Sequence, residues 1–147
     1  HVHMDAASFN LDTWKNLALT YKHLEHLIDA FMPRTRRNNT YCKTLSGVSD
    51  ERIKSVRTID GLREVFNNDR YHKVNFEAYS RHRTVEFRQH SGTTNFTKME
   101  NWIRFLNGLI TFAKRSSLPS RMTLEELPFL DGKQKLFFKL RTKKLAV

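Results

Sequence analysis

The sequence predicts an α+β fold, with antiparallel strands in one layer covered by two long helices, in a single domain over residues 1–147. Three observations predict it. Thr84–His90 alternates, with Val85, Phe87 and Gln89 on one face and Thr84, Glu86, Arg88 and His90 on the other, the period of a half-buried strand. Tyr71–Tyr79 alternates as well, with Val74, Phe76 and Ala78 opposed to Asn75 and Glu77. The two stretches read as an antiparallel hairpin turning at Arg81-His82-Arg83, with Asn75 near Glu86 and Arg88. Finally, Asn10–Met32 and Thr97–Arg115 carry apolar residues at three- and four-residue steps.

Each element has a local cause. In residues 1–5, Val2 and Met4 turn to the core while His1, His3 and Asp5 face away. Asn10 caps the first long helix, Asp12 sits in its first turn, and Phe9 staples onto Trp14. Its stripe runs Leu11, Trp14, Leu17, Ala18, Tyr21, Leu24, Ile28 and Phe31, and Pro33 ends it. His23 and His26 lie three residues apart without a third ligand, so they read as solvated helix histidines. Arg34–Cys42 is a basic loop, and 46–57 reads as an exposed connection. Thr58 caps a short helix with Ile59, Leu62, Val65 and Phe66 on one side, broken by Asn67-Asn68-Asp69.

Thr97 and Glu100 read as the capping box of the second long helix. Its stripe of Met99, Trp102, Ile103, Leu106, Leu109, Ile110 and Ala113 is expected across the back of the sheet. Gly108 inside it costs about 1 kcal/mol against Ala, which implies a close neighbour. Leu124–Leu145 reads as two short helices separated by Pro128 and Asp131-Gly132. The core therefore spans 1–115 and a helical tail spans 116–147.

Composition narrows the function classes. Apolar content of 39% with eleven Phe and two Trp belongs to a folded chain. A single cysteine, Cys42, excludes an internal disulfide. The lone cysteine makes a reducing compartment, and so a cytoplasmic protein, the expectation, and no apolar run approaches the roughly 20 residues of a membrane span, so no membrane insertion is expected. The net charge of +11 favours anionic partners and is concentrated at Arg34–Arg37 and Lys139–Lys144.

The candidate site begins with the polar face of Thr84–His90, which presents a carboxylate, a guanidinium and an imidazole two residues apart. Those groups suit a hard cation, a phosphate or carboxylate, and either, respectively. His1-Val2-His3-x-Asp5, the run Thr84-Val85-Glu86-Phe87-Arg88-Gln89-His90-Ser91-Gly92-Thr93-x-Asn95, the segment Arg36–Cys42, and Arg70-Tyr71 with Val74-Asn75 occur in that spacing. Together they resemble the amidoligase family of the glutamine synthetase and carboxylate–amine ligase superfamily, over roughly residues 1–115. The resemblance implies a glutamine synthetase-like catalytic half-domain and an ATP-dependent, amide-forming ligase that works through an acyl phosphate with ATP and Mg²⁺. It places Glu86 and Arg88 in catalysis, Glu86 with His3 at the metal, and His1, His3, Arg36, Arg37, Tyr41 and Asn75 around the nucleotide phosphates. His90 is left to anchor the turn.

One departure stands out. The superfamily holds its metals with several carboxylates on strands from both halves of the domain. Here there is no Gly-x-Glu-x-Glu strand, and Asp5, Asp50, Glu51 and Asp69 form no strand pair. The chain therefore reads as the C-terminal portion of the domain, with the N-terminal half as its expected partner beside carboxylate and amine substrates, peptide or protein among them, and a second copy. Two alternatives belong to other classes: a non-catalytic, virion-type structural relative of viral origin, and a basic nucleic-acid-binding module.

Overall fold

In the computed structural model, which describes residues 1–146, the two ends of the motif region meet in one sheet. Strand β1 (Val2–Asp5) pairs antiparallel with β3 (Thr84–Phe87), setting His3 opposite Glu86 and Met4 opposite Val85. On the other side of β3, β2 (Val74–Asn75) sets Asn75 opposite Glu86. The order β1-β3-β2 leaves β1 as an edge among the described residues. Directly opposed residues share a face, so His3, Glu86 and Asn75 form one row across the sheet. The chain is α+β, with this small antiparallel sheet and six α-helices among the described residues.

Helix α1 (Leu11–Ala30) covers the back of the sheet. Asn10 accepts from the Thr13 N–H as its cap, and the Phe9 and Trp14 rings meet at 5.0 Å. Trp14 reaches Phe76, and Tyr21 reaches Phe87. Helix α2 (Asp50–Ser55) follows, capped by Ser49 and buried at Ile53. The exposed connection expected over 46–57 is therefore helical in its second half. One apolar anchor per short helix leaves no period to read. Helix α3 (Ile59–Val65) starts at Thr58 as expected, and Asn67 and Asn68 take positive φ after it.

The strand expected over Tyr71–Tyr79 is cut to Val74–Asn75. The Asn75 carboxamide oxygen accepts from the Glu77 N–H, an Asx turn that competes with strand pairing. Residues Ala78–His82 then form helix α4, which places Tyr79 against Trp14 at 5.2 Å. Arg83, at φ 57°, reverses the chain into β3.

Helix α5 (Phe96–Ala113) is capped by Asn95, not by the Thr97–Glu100 box. It also lies along α1 instead of across the sheet, whose back α1 already occupies. Phe31 packs on Trp102 and Phe105, and Asn16 donates to the Ala113 carbonyl. That rotation buries Phe105 and exposes Met99 and Ile103. The close neighbour expected at Gly108 is the Phe129 carbonyl, 2.9 Å from where a Cβ would stand. The tail forms a 3₁₀ turn (Leu124–Glu126) and helix α6 (Gly132–Leu145), capped by Asp131 with Gln134.

The two helix histidines are not solvated as expected. His23 is buried, with Nδ1 on the Leu118 carbonyl at 2.7 Å and Nε2 on the Asp50 carboxylate at 2.9 Å. His26 meets the Met122 carbonyl. Both tie α1 to segments distant in sequence, where they satisfy backbone carbonyls.

Candidate functional site

The front of the sheet is polar, and its centre is Glu86. Opposition across the ladder brings the His3 Nε2 to 2.9 Å from one Glu86 oxygen, while Arg88 Nη1 lies 2.5 Å from the other. His1 Nδ1 stands 3.7 Å from the latter oxygen. An ionised carboxylate accepts only, so His3 carries its proton on Nε2, and the Thr84 hydroxyl faces Nδ1 at 2.8 Å. Glu86 is 8% exposed, so the Arg88 guanidinium and the His3 hydrogen bond offset its loss of water.

A cleft of about 260 Å³ opens over this row, and His3, Asn75, Glu86 and Arg88 share it with Arg70, Tyr71, Arg81 and His82. The Arg88 guanidinium lies 5.2 Å from the centre of the Tyr71 ring, and its buried Nε has no partner. A buried donor left unpaired is costly, and the chemistry that satisfies a guanidinium is an oxyanion. The other carboxylate in the cleft, Glu77, is committed. Arg63 donates to both its oxygens, at 2.9 Å each, and these bonds hold the carboxyl below its ordinary range.

A buried network positions Arg88 from behind. Lys73 is fully buried, with Nζ 3.1 Å from Glu25 and 2.9 Å from Asp29. Gln89 donates to the same Asp29 oxygen and accepts from the Tyr21 hydroxyl at 2.7 Å. Burial pushes the Tyr21 phenol well up, so it stays a neutral donor. The Arg88 N–H donates to the Lys73 carbonyl at 2.9 Å, which joins this network to the site. Tyr21 and Gln89 lie on faces that the sequence turns to the core, but Lys73, Glu25 and Asp29 do not read as core, because their place in the network rests on partners tens of residues away.

The remaining sequence candidates divide. Tyr41 is exposed and meets Tyr71 edge-on at 5.4 Å, at the rim of the cleft. Arg36 Nη1 lies 3.5 Å from the Arg88 carbonyl. Arg37 lies outside the cleft, donating to the Met32 and Leu145 carbonyls. His90 faces the Ser91 carbonyl and packs on Trp102, and burial pushes its imidazole down, in keeping with an anchor of the turn. Cys42 is buried and its thiol is pushed up by burial, the signature of an inert cysteine. The sequence makes Arg81 and His82 part of a turn; the structure makes them the end of α4, which carries them into the cleft. Their adjacency in a basic run was the signal.

The donor set does not make a metal site by itself. Among the described residues no group of three or more His, Cys, Asp or Glu converges for a metal ion. The expected metal pair, His3 and Glu86, is hydrogen-bonded to itself.

A family model described as "putative amidoligase enzyme" matches residues 1–110. The chain belongs to this amidoligase family. No curated protein and no solved structure matches it. The match spans all three strands and every residue of the cleft, and it stops inside α5, so α6 lies beyond it. No helix among the described residues is long and apolar enough to cross a membrane.

Proposed function

We propose that this chain is the C-terminal part of an ATP-dependent carboxylate–amine ligase that forms an amide through an acyl phosphate. The observation that supports this most is the buried, partnerless Nε of Arg88, in a cleft that also holds Arg70 and Arg81 beside the His3–Glu86 pair. Activating a carboxylate concentrates negative charge, and preset donors aimed at that charge lower the barrier. ATP, when bound, supplies the phosphoryl group. Arg88 then holds an anionic oxygen through Nε, while Glu86 fixes its rotamer through Nη1. His3 is held in one tautomer between Thr84 and Glu86 and presents its ring edge at the same wall.

Mg²⁺ takes oxygen ligands, usually one or two carboxylates with phosphates and waters. Both Glu86 oxygens are engaged and Glu77 is held by Arg63, so these residues alone do not fit the ion and no step is routed through it. The edge of β1 supports the reading that another segment, the N-terminal half of the domain, pairs there and brings the missing carboxylates.

The test is ADP release by the intact protein with Mg·ATP and panels of amines and carboxylates. Arg88→Lys keeps the charge and loses the fork, and is expected to lower turnover by roughly 10²–10³, as for removal of one oxyanion donor. Turnover unchanged in both Arg88→Lys and Glu86→Ala would overturn the proposal. Absence of any Mg·ATP binding by calorimetry would favour the non-catalytic relative.

A further inference from the structure

We infer that the groove between the C-terminal end of α1, the Leu124–Glu126 turn and α6 is a binding site for a single-chain alkyl carboxylate. The groove measures about 310 Å³, at the small end of the roughly 300–1,000 Å³ of ligand pockets. Its walls are apolar: Leu27, Ala30 and Phe31 on one side, Leu124 on the other. Phe31 is the rigid floor, 4.4 Å from the Phe138 ring and packed on Phe105, so the groove is preformed. An alkyl chain is the chemistry that gains by leaving water here.

The rim decides the head group. Lys139 and Lys143 stand at the mouth, exposed, and neither forms an ion pair among the described residues. Glu125 is the lone carboxylate of the rim, so the two ammonium groups outnumber it. The helix that carries them has six Lys and Arg and no acidic residue. Thr142 offers no competing donor, because its hydroxyl donates to the Phe138 carbonyl at 2.8 Å. A ligand apolar along its length and anionic at one end matches walls and rim together. Leu27, Ala30 and Phe31 fall within the span matched by the family model and the remaining lining residues beyond it, and the groove shares no lining residue with the cleft, so this inference stands apart from the proposed ligase activity.

The experiment is calorimetric titration of the full chain with dodecanoate below its micelle concentration, with decyl glucoside as the neutral control. Vesicles of phosphatidylserine separate a free carboxylate from a membrane source. Dodecanoate is expected to bind at least tenfold more tightly than decyl glucoside. Lys139→Gln with Lys143→Gln is expected to remove that preference, about tenfold or more for contacts to a charged group. Ala30→Phe fills the groove from its wall and is expected to abolish binding, while circular dichroism melting shows that both variants fold. No dodecanoate binding, equal binding of the neutral amphiphile, or binding that survives Ala30→Phe would each overturn the inference. So would binding to vesicles alone.

Discussion

Replacing Lys73 with Met tests whether the buried network holds the cleft's back wall. Methionine matches the aliphatic stem and removes the ammonium. Lys73 is 0% exposed, and its two carboxylate partners differ in their access to water. The Glu25 side chain is 9% exposed and that of Asp29 is 29% exposed. Removing one member of a buried pair costs about 3–5 kcal/mol, because the other charge is left uncompensated. Asp29 can rehydrate in part and keeps its bond from Gln89, and Glu25 keeps its bonds from Thr44 and the Leu45 N–H. The low end, about 3 kcal/mol, is therefore expected. For a chain of this size that lowers Tm by roughly 6–12 °C. Thermal melting and urea unfolding measure it. Adding Glu25→Gln should recover part of the loss, with a coupling of about 1–3 kcal/mol in the cycle. A Lys73→Met chain melting within about 2 °C of the parent, or a cycle without coupling, would refute the reasoning.

Other expectations follow from single contacts. Gly108→Ala gains about 1 kcal/mol of helix propensity, but its Cβ meets a backbone carbonyl at 2.9 Å. Overpacking of about 1–3 kcal/mol makes the variant less stable, and a raised urea midpoint would count against the contact. Asn10→Ala removes the acceptor for both the N–H and the hydroxyl of Thr13 and should cost about 1 kcal/mol by urea unfolding. Stability should fall on acidification in two stages. His90 and His26 are pushed down by burial, so their contribution is complete above about pH 6.5 and drains as the unfolded chain takes up protons. Glu77, Asp50 and Asp69 are held low by hydrogen bonds from Arg63, Lys22 and Lys43. Their contribution is present above about pH 4 and is lost below it. A urea midpoint that rises between pH 7 and pH 6 would contradict the first stage. Cys42 should react slowly with a thiol reagent in the native state and quickly in urea.

The sequence by itself determined the secondary structure wherever a local signal acts within a few residues. The Asn10 cap, the α1 stripe, the Asn67-Asn68 break and the alternation in β3 all act at that range. It also determined the family, because His3, Glu86 and Arg88 stand in a recognisable order. The antiparallel pairing of β2 with β3, and Asn75 beside Glu86, were legible in the alternation of the two stretches; only the tertiary structure decided that β1 takes the other side of β3 and sets His3 opposite Glu86. It alone decided that α4 brings Arg81 and His82 into the cleft while Arg37 lies outside it. The buried Lys73–Glu25–Asp29–Gln89 network was equally illegible. Lysine and carboxylate are surface residues by composition, and only partners up to 60 residues away make their burial affordable.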